Sequence, residues 1–110
     1  MDWAQYEKER RAERTENRQQ ALHDYREAAQ LANRNNLVLR QCSEVHYQLR
    51  AFRDGKVAWL YNLYPGNRRI WQDPRFKGPF LRLPAAWTLT DVVRAVAREQ
   101  QRQFQNIKPE

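Results

Sequence analysis

A chain of 110 residues has the length of one domain and can bury a modest core without staples. Its 41% hydrophobic content, with four Trp, five Tyr and four Phe, excludes a fully disordered polymer. The lone cysteine, Cys42, excludes an internal disulfide framework, and no apolar run nears the roughly 18 residues of a membrane span. The start, Met1-Asp2-Trp3 and then charged residues, does not read as a signal peptide, so the expected setting is the cytoplasm.

The net charge of +7 is unevenly spread. Residues 1–36 carry seven basic and seven acidic side chains, whereas residues 37–110 carry thirteen basic and six acidic ones, which is the whole excess. Arg outnumbers Lys sixteen to four. Arg is the better bidentate fork for phosphate and stacks on flat rings.

In chain order, residues 3–34 contain neither Pro nor Gly and are rich in Glu, Gln, Arg and Ala, all good helix formers. From Glu7 to Gln20 only Ala12 is apolar, so that half has little to bury. Ala21, Leu22, Tyr25, Ala28, Ala29 and Ala32 recur at helical steps and predict a packed helix over 20–33. Asn33, Asn35 and Asn36 suit its C-terminal stop.

The period then changes. Val45, Tyr47, Leu49 and Ala51 alternate with His46, Gln48 and Arg50, as in a half-buried strand. Asp54-Gly55 marks a turn, and Val57–Tyr64 is a second strand. A three-residue loop, Arg53-Asp54-Gly55, would pair Ala51 with Val57, Leu49 with Trp59, Tyr47 with Tyr61 and Val45 with Leu63. Every side chain on that face is then apolar or aromatic, so this register is the expected one. Pro65-Gly66 suits a type II turn. Residues 68–73 form a short third strand, and Phe80–Leu83 is a fourth strand or an extended strap. Thr88 and Asp91 make a capping-box variant before the face Leu89, Val92, Val93, Val96 and Ala97, with Trp87 as a staple.

The expected fold class is α+β: a long N-terminal helix, an antiparallel three- to four-stranded sheet, and a C-terminal helix, with both helices on one face of the sheet. The expected division is an exposed helical extension over 1–19, one α-β-β-β-α domain over 20–104, and a frayed tail over 105–110.

Basic side chains are the main chemical signal. Arg53 and Lys56 flank the hairpin turn, Arg68 and Arg69 the second turn, and Arg75 and Lys77 the next loop. Arg50 lies on the hairpin, and Arg94, Arg98 and Arg102 form a helical stripe. Such bands attract phosphate backbones through counterion release. They also serve simply to keep a small domain in solution. Most of the aromatic residues belong to the core; Tyr64 and Trp71, beside the Pro65–Arg69 turn, are the expected exceptions.

Catalytic signals are missing. Cys42 and His46 are four apart, but only His23 remains as a further His or Cys, too few for a zinc site. No acidic pair suggests acid–base chemistry and no Gly-rich phosphate loop appears. Neither enzyme nor cofactor is expected.

The order helix, three strands, helix resembles in topology the double-stranded RNA-binding domain. That family places a Lys-rich cluster at the start of its last helix, where this chain has Thr88-Leu89-Thr90-Asp91. The departure removes the family's main phosphate-binding device, so the resemblance is one of element order alone. The expected function is a non-enzymatic module for nucleic acid or another polyanion, with backbone contacts and slight sequence preference. The alternative is a protein-interaction module, such as an accessory or inhibitor protein of a mobile element, with a protein partner or second copy on residues 3–33. No membrane partner is expected.

Overall fold

The computed structural model describes residues 2–104, and of Phe104 the backbone alone; the expected frayed tail, 105–110, lies outside the described residues. The first helix, α1 (Trp3–Arg34), is a single run of 32 residues. Asp2 caps it by accepting a hydrogen bond from the Ala4 N–H at 3.3 Å. Only its second half has apolar side chains to bury: Ala21, Ala28 and Ala32 are buried, and Tyr25 and Ala29 pack beside them. Leu22, expected in that stripe, is 54% exposed, because the position next to Ala21 points about 100° around the helix. The asparagines stop the helix as expected. The Asn35 amide donates to the Leu31 carbonyl at 2.8 Å, and Asn36 takes a left-handed φ of 58°.

Four antiparallel strands follow: β1 (Leu37–Gln41), β2 (Tyr47–Arg53), β3 (Lys56–Tyr64) and β4 (Arg69–Gln72), hydrogen-bonded in the order β1-β2-β3-β4. β1 is a correction to the expected set. Its alternation, Leu37 and Leu39 in and Val38 and Arg40 out, is too short to stand out in the sequence. Phe80–Leu83 does not join the sheet; it runs as a strap. The Tyr61 hydroxyl anchors its start by donating to the Pro79 carbonyl at 2.8 Å. Val45 lies in the β1–β2 turn rather than in a strand, 39% exposed.

The hairpin register is a second correction. The loop has two residues, Asp54 and Gly55, both with positive φ (52° and 75°), as a type I′ turn requires. A regular ladder from that turn would put Arg50 opposite Trp59. Ala58 is instead an extra residue in β3, a bulge between the pairs Phe52–Val57 and Ala51–Trp59. Beyond it Leu49 faces Tyr61 and Tyr47 faces Leu63. The expected apolar face survives, shifted by two residues, because a tight turn plus a bulge meets the same burial demand.

After β4, a short 3-10 turn (Pro74–Phe76) leads into the strap and then the second α-helix, α2 (Leu89–Phe104). The capping box forms reciprocally. Thr88 N–H donates to the Asp91 carboxylate at 2.9 Å, and Asp91 N–H donates to the Thr88 hydroxyl oxygen at 3.1 Å. Asp24 of α1 accepts from both the N–H and the hydroxyl of Thr90, at 2.9 and 2.6 Å, tying the two helices together.

Leu89, Val92, Val93 and Val96 are almost wholly buried. Full burial of each such side chain contributes roughly 1.5–3 kcal/mol. They join Ala21, Ala28 and Ala32 of α1 and the strand residues Leu37, Leu39, Tyr47, Leu49, Ala51, Trp59, Tyr61 and Leu63 in one core. All those strand residues share one side of the sheet, so both helices cover that side. The fold is α+β with one strand more than the double-stranded RNA-binding order. No helix among the described residues is long and apolar enough to cross a membrane.

Candidate functional site

The side of the sheet turned away from the helices has a different chemistry. Direct cross-strand partners share a face. Arg40, Gln48, Asn62 and Trp71 therefore form one row across all four strands; Val38, Arg50 and Leu60 form the next, and Tyr64 stands beside Arg69. Here Asn62, only 5% exposed, is the hub. Its side-chain oxygen lies 2.8 Å from His46 Nε2 and accepts from the Gln48 amide at 3.1 Å. The first contact requires the proton of a neutral His46 on Nε2. Arg50 Nη2 donates to the Gln48 oxygen at 3.0 Å, extending the network to a third strand row. The His46 ring stacks on Tyr64, centroids 4.8 Å apart and planes within 7°.

Trp71 stands on this face 56% exposed, whereas Trp59 and Trp87 are buried. Arg40 and Arg69 are exposed on the same face. The surface thus offers flat rings and guanidinium groups on a sheet whose amides are tied into a hydrogen-bond network. That set can stack on bases and pair with phosphates.

The twelve residues expected from the sequence do not gather into one band. Arg50, Arg69, Tyr64 and Trp71 lie on the open sheet face. Arg53 and Lys56 are paired beside the turn at the far end of the hairpin. Arg68 bends back toward α1, its Nη1 3.9 Å from Glu13. Arg75 clamps Asp73, with its Nη2 and Nε at 2.9 and 3.2 Å from the carboxylate oxygens. Hydrogen bonds from Arg75 hold the Asp73 carboxyl below its ordinary range, and Asp73 raises Arg75 in return. Lys77 is exposed on the same loop. Arg94, Arg98 and Arg102 are exposed on α2, in the helical layer, with Arg102 Nη1 3.8 Å from Glu99. Each of these pairs has one well-exposed partner, Glu13, Arg75 or Arg102, and ion pairs open to solvent contribute only ~0–1 kcal/mol.

Two members of the sheet face escaped the sequence reading. Arg40 sits on β1, the strand that was not expected. His46 reads in the sequence as an exposed polar residue; its ring stack and its bond to Asn62 depend on contacts sixteen and eighteen residues away. Among the described residues no three His, Cys, Asp or Glu side chains converge as a metal site. No protein-family model matches the chain, and neither a curated protein nor a solved structure is significantly similar to it.

Proposed function

We propose that this chain is a small non-enzymatic, cytoplasmic nucleic-acid-binding module, and that the open face of the sheet is its binding surface. Trp71 and the Tyr64–His46 stack receive bases, and Arg40, Arg50 and Arg69 meet the phosphates. Arg53 and Lys56, at the end of the hairpin, add long-range attraction. Base stacking tolerates every sequence, so sequence preference is slight and a single strand is the favoured form.

The observation that carries this reading is Trp71, a large ring left 56% exposed on a sheet face that also holds Arg40 and Arg69. The test is anisotropy of labelled single-stranded DNA and RNA at two salt concentrations. Binding should weaken as salt rises. Trp71→Ala should weaken it by about 1–3 kcal/mol, the usual value of one stacked base. Salt-indifferent binding, or full binding by Trp71→Ala, rejects the reading.

One observation favours a protein partner. The first turns of α1 carry Trp3 at 70% exposure, on a molecule 64 Å long and only 24 and 22 Å in its other dimensions. Light scattering across a concentration series tests for a second copy on that projecting helix; a constant monomer mass ends that version.

A further inference from the structure

On the helical side of the sheet, away from Trp71, the turn between β3 and β4 meets the underside of α1. Pro65 and Gly66 are buried there, and the Asn17 amide donates to the Gly66 carbonyl at 3.0 Å. At Gly66 a Cβ would stand 2.9 Å from Arg18 Nε, so any larger residue there would push the Arg18 side chain aside. Helix and turn are thus joined by the Asn17 hydrogen bond and the Arg18 side chain, with arginine gathered around the seam.

Arg68 is the unusual member. It is a non-glycine residue with φ of 49°, in the left-handed region, and its N–H closes the turn on the Pro65 carbonyl at 3.1 Å. That conformation costs of order 1 kcal/mol for a side chain such as Arg. Its effect here is to aim the guanidinium back under α1, where the side chain is only 22% exposed. The Nε atoms of both Arg68 and Arg18 are buried and find no hydrogen-bond partner among the described residues. A buried donor left without a partner costs ~1–3 kcal/mol, more when the group is charged.

Arg68, Arg10 and Arg14 line one open cleft of about 310 Å³, whose further wall is Ala85-Ala86. Its one acidic residue, Glu13, is 65% exposed and touches Arg68 only at 3.9 Å. Among the described residues Arg14 and Arg18 have no ion pair at all. Three arginines thus line a cleft with a single, mostly exposed acid. Arg10 is already held by the Tyr6 hydroxyl at 2.8 Å, which leaves Arg68 and Arg14 as the charges facing the opening.

We propose that this cleft is a binding site for a phosphate group, with Arg68 and Arg14 as its principal ligands and Arg18, packed against Gly66 of the same turn, behind them. A tetrahedral dianion accepts several charge-assisted hydrogen bonds at once, which planar guanidinium forks supply. The bound group is a free phosphate ester or the terminal phosphate of a nucleic-acid strand. The site does not depend on the sheet face.

The test is a titration of the intact chain with inorganic phosphate, followed through the Nε–H signals of Arg18 and Arg68 in nitrogen-15 spectra. Sodium chloride at matched ionic strength is the control. Phosphate should move both signals to saturation and chloride should not. Arg68→Asn keeps the left-handed turn, which Asn tolerates, and should weaken phosphate binding about tenfold or more. Arg14→Gln, on the helix surface, should do the same without touching the turn. Trp71→Ala should leave the titration unchanged, which separates this site from the sheet face. Absence of saturation, equal shifts with chloride, or unchanged affinity in both arginine variants overturns the proposal. Oligonucleotides with and without a 5′-phosphate then identify the source. Tighter binding of the phosphorylated strand points to a strand end, and equal binding points to a free ester.

Discussion

The two faces of one sheet follow opposite rules. Toward the helices, every strand residue of the core is apolar or aromatic, and the polar Tyr47 hydroxyl is buried with no hydrogen-bond partner among the described residues. Away from the helices, Asn62 is as deeply buried, yet its oxygen serves two donors and its neighbours are Arg, Gln, His and Tyr. One face is held by packing and tolerates an orphaned hydroxyl. The other is held by a hydrogen-bond network whose long side chains shield Leu60 and Asn62 while leaving Trp71 in water. Stability therefore resides mainly on one side, and the exposed ring and guanidinium groups of the proposed binding surface on the other.

Substitutions can break this contrast. The largest effect is expected from Leu49→Ala on the packed face, a loss of about 2–5 kcal/mol in urea unfolding. Trp71→Ala, on the opposite side of the same sheet, should change stability by no more than roughly 0.5 kcal/mol. Comparable losses for the two would erase the distinction. Next comes Asn62→Ala, which strands the His46 and Gln48 donors and should cost about 1–3 kcal/mol. If it costs nothing, the network does not hold the open face.

Tyr61→Phe removes the anchor of the strap at Pro79 and should cost about 1 kcal/mol. It also sharpens the comparison at high pH. Burial pushes the Tyr61 phenol well above its ordinary value. The folded state therefore favours the neutral form. That contribution is complete below the unfolded tyrosine pKa of about 10 and is lost as pH rises above it. Tyr47 is raised by burial too, so Tyr61→Phe should make the alkaline loss shallower without abolishing it. The smallest effect belongs to Asp73→Ala. Asp73 is held below its usual range by Arg75, so whatever it contributes is present above the normal carboxylate range and fades as pH falls through its folded value. Arg75 is well exposed, but Asp73 also accepts the Arg75 N–H at 2.9 Å, so the loss in urea unfolding at neutral pH should be under about 1 kcal/mol.

Local chemistry made much of the fold readable. The helix stop at Asn35, the capping box at Thr88 and Asp91, and the alternating face of β2 and β3 follow from neighbouring residues. β1 did not, because five residues with two buried leucines carry too little periodic signal. The hairpin pairing did not, because a turn and a bulge together mimic a longer loop. For the candidate site, Tyr64 and Trp71 were legible as rings beside a basic turn. Arg68 was legible as a charge but not in its direction, since a left-handed φ at an arginine is not written in composition. His46 needed the partner strand before its stack could be seen.

The bulge at Ala58 makes β3 unusually tolerant of one particular shortening. Removing that residue would turn the hairpin into a regular ladder with Arg53–Lys56, Phe52–Val57, Ala51–Trp59 and Leu49–Tyr61 all preserved, losing only some local twist. Removing Gln48 from β2 would instead send one flank of the strand to the wrong side of the sheet. A deletion scan along the hairpin should therefore find a single permissive gap at the bulge, flanked by positions where losing one residue leaves the chain unable to fold.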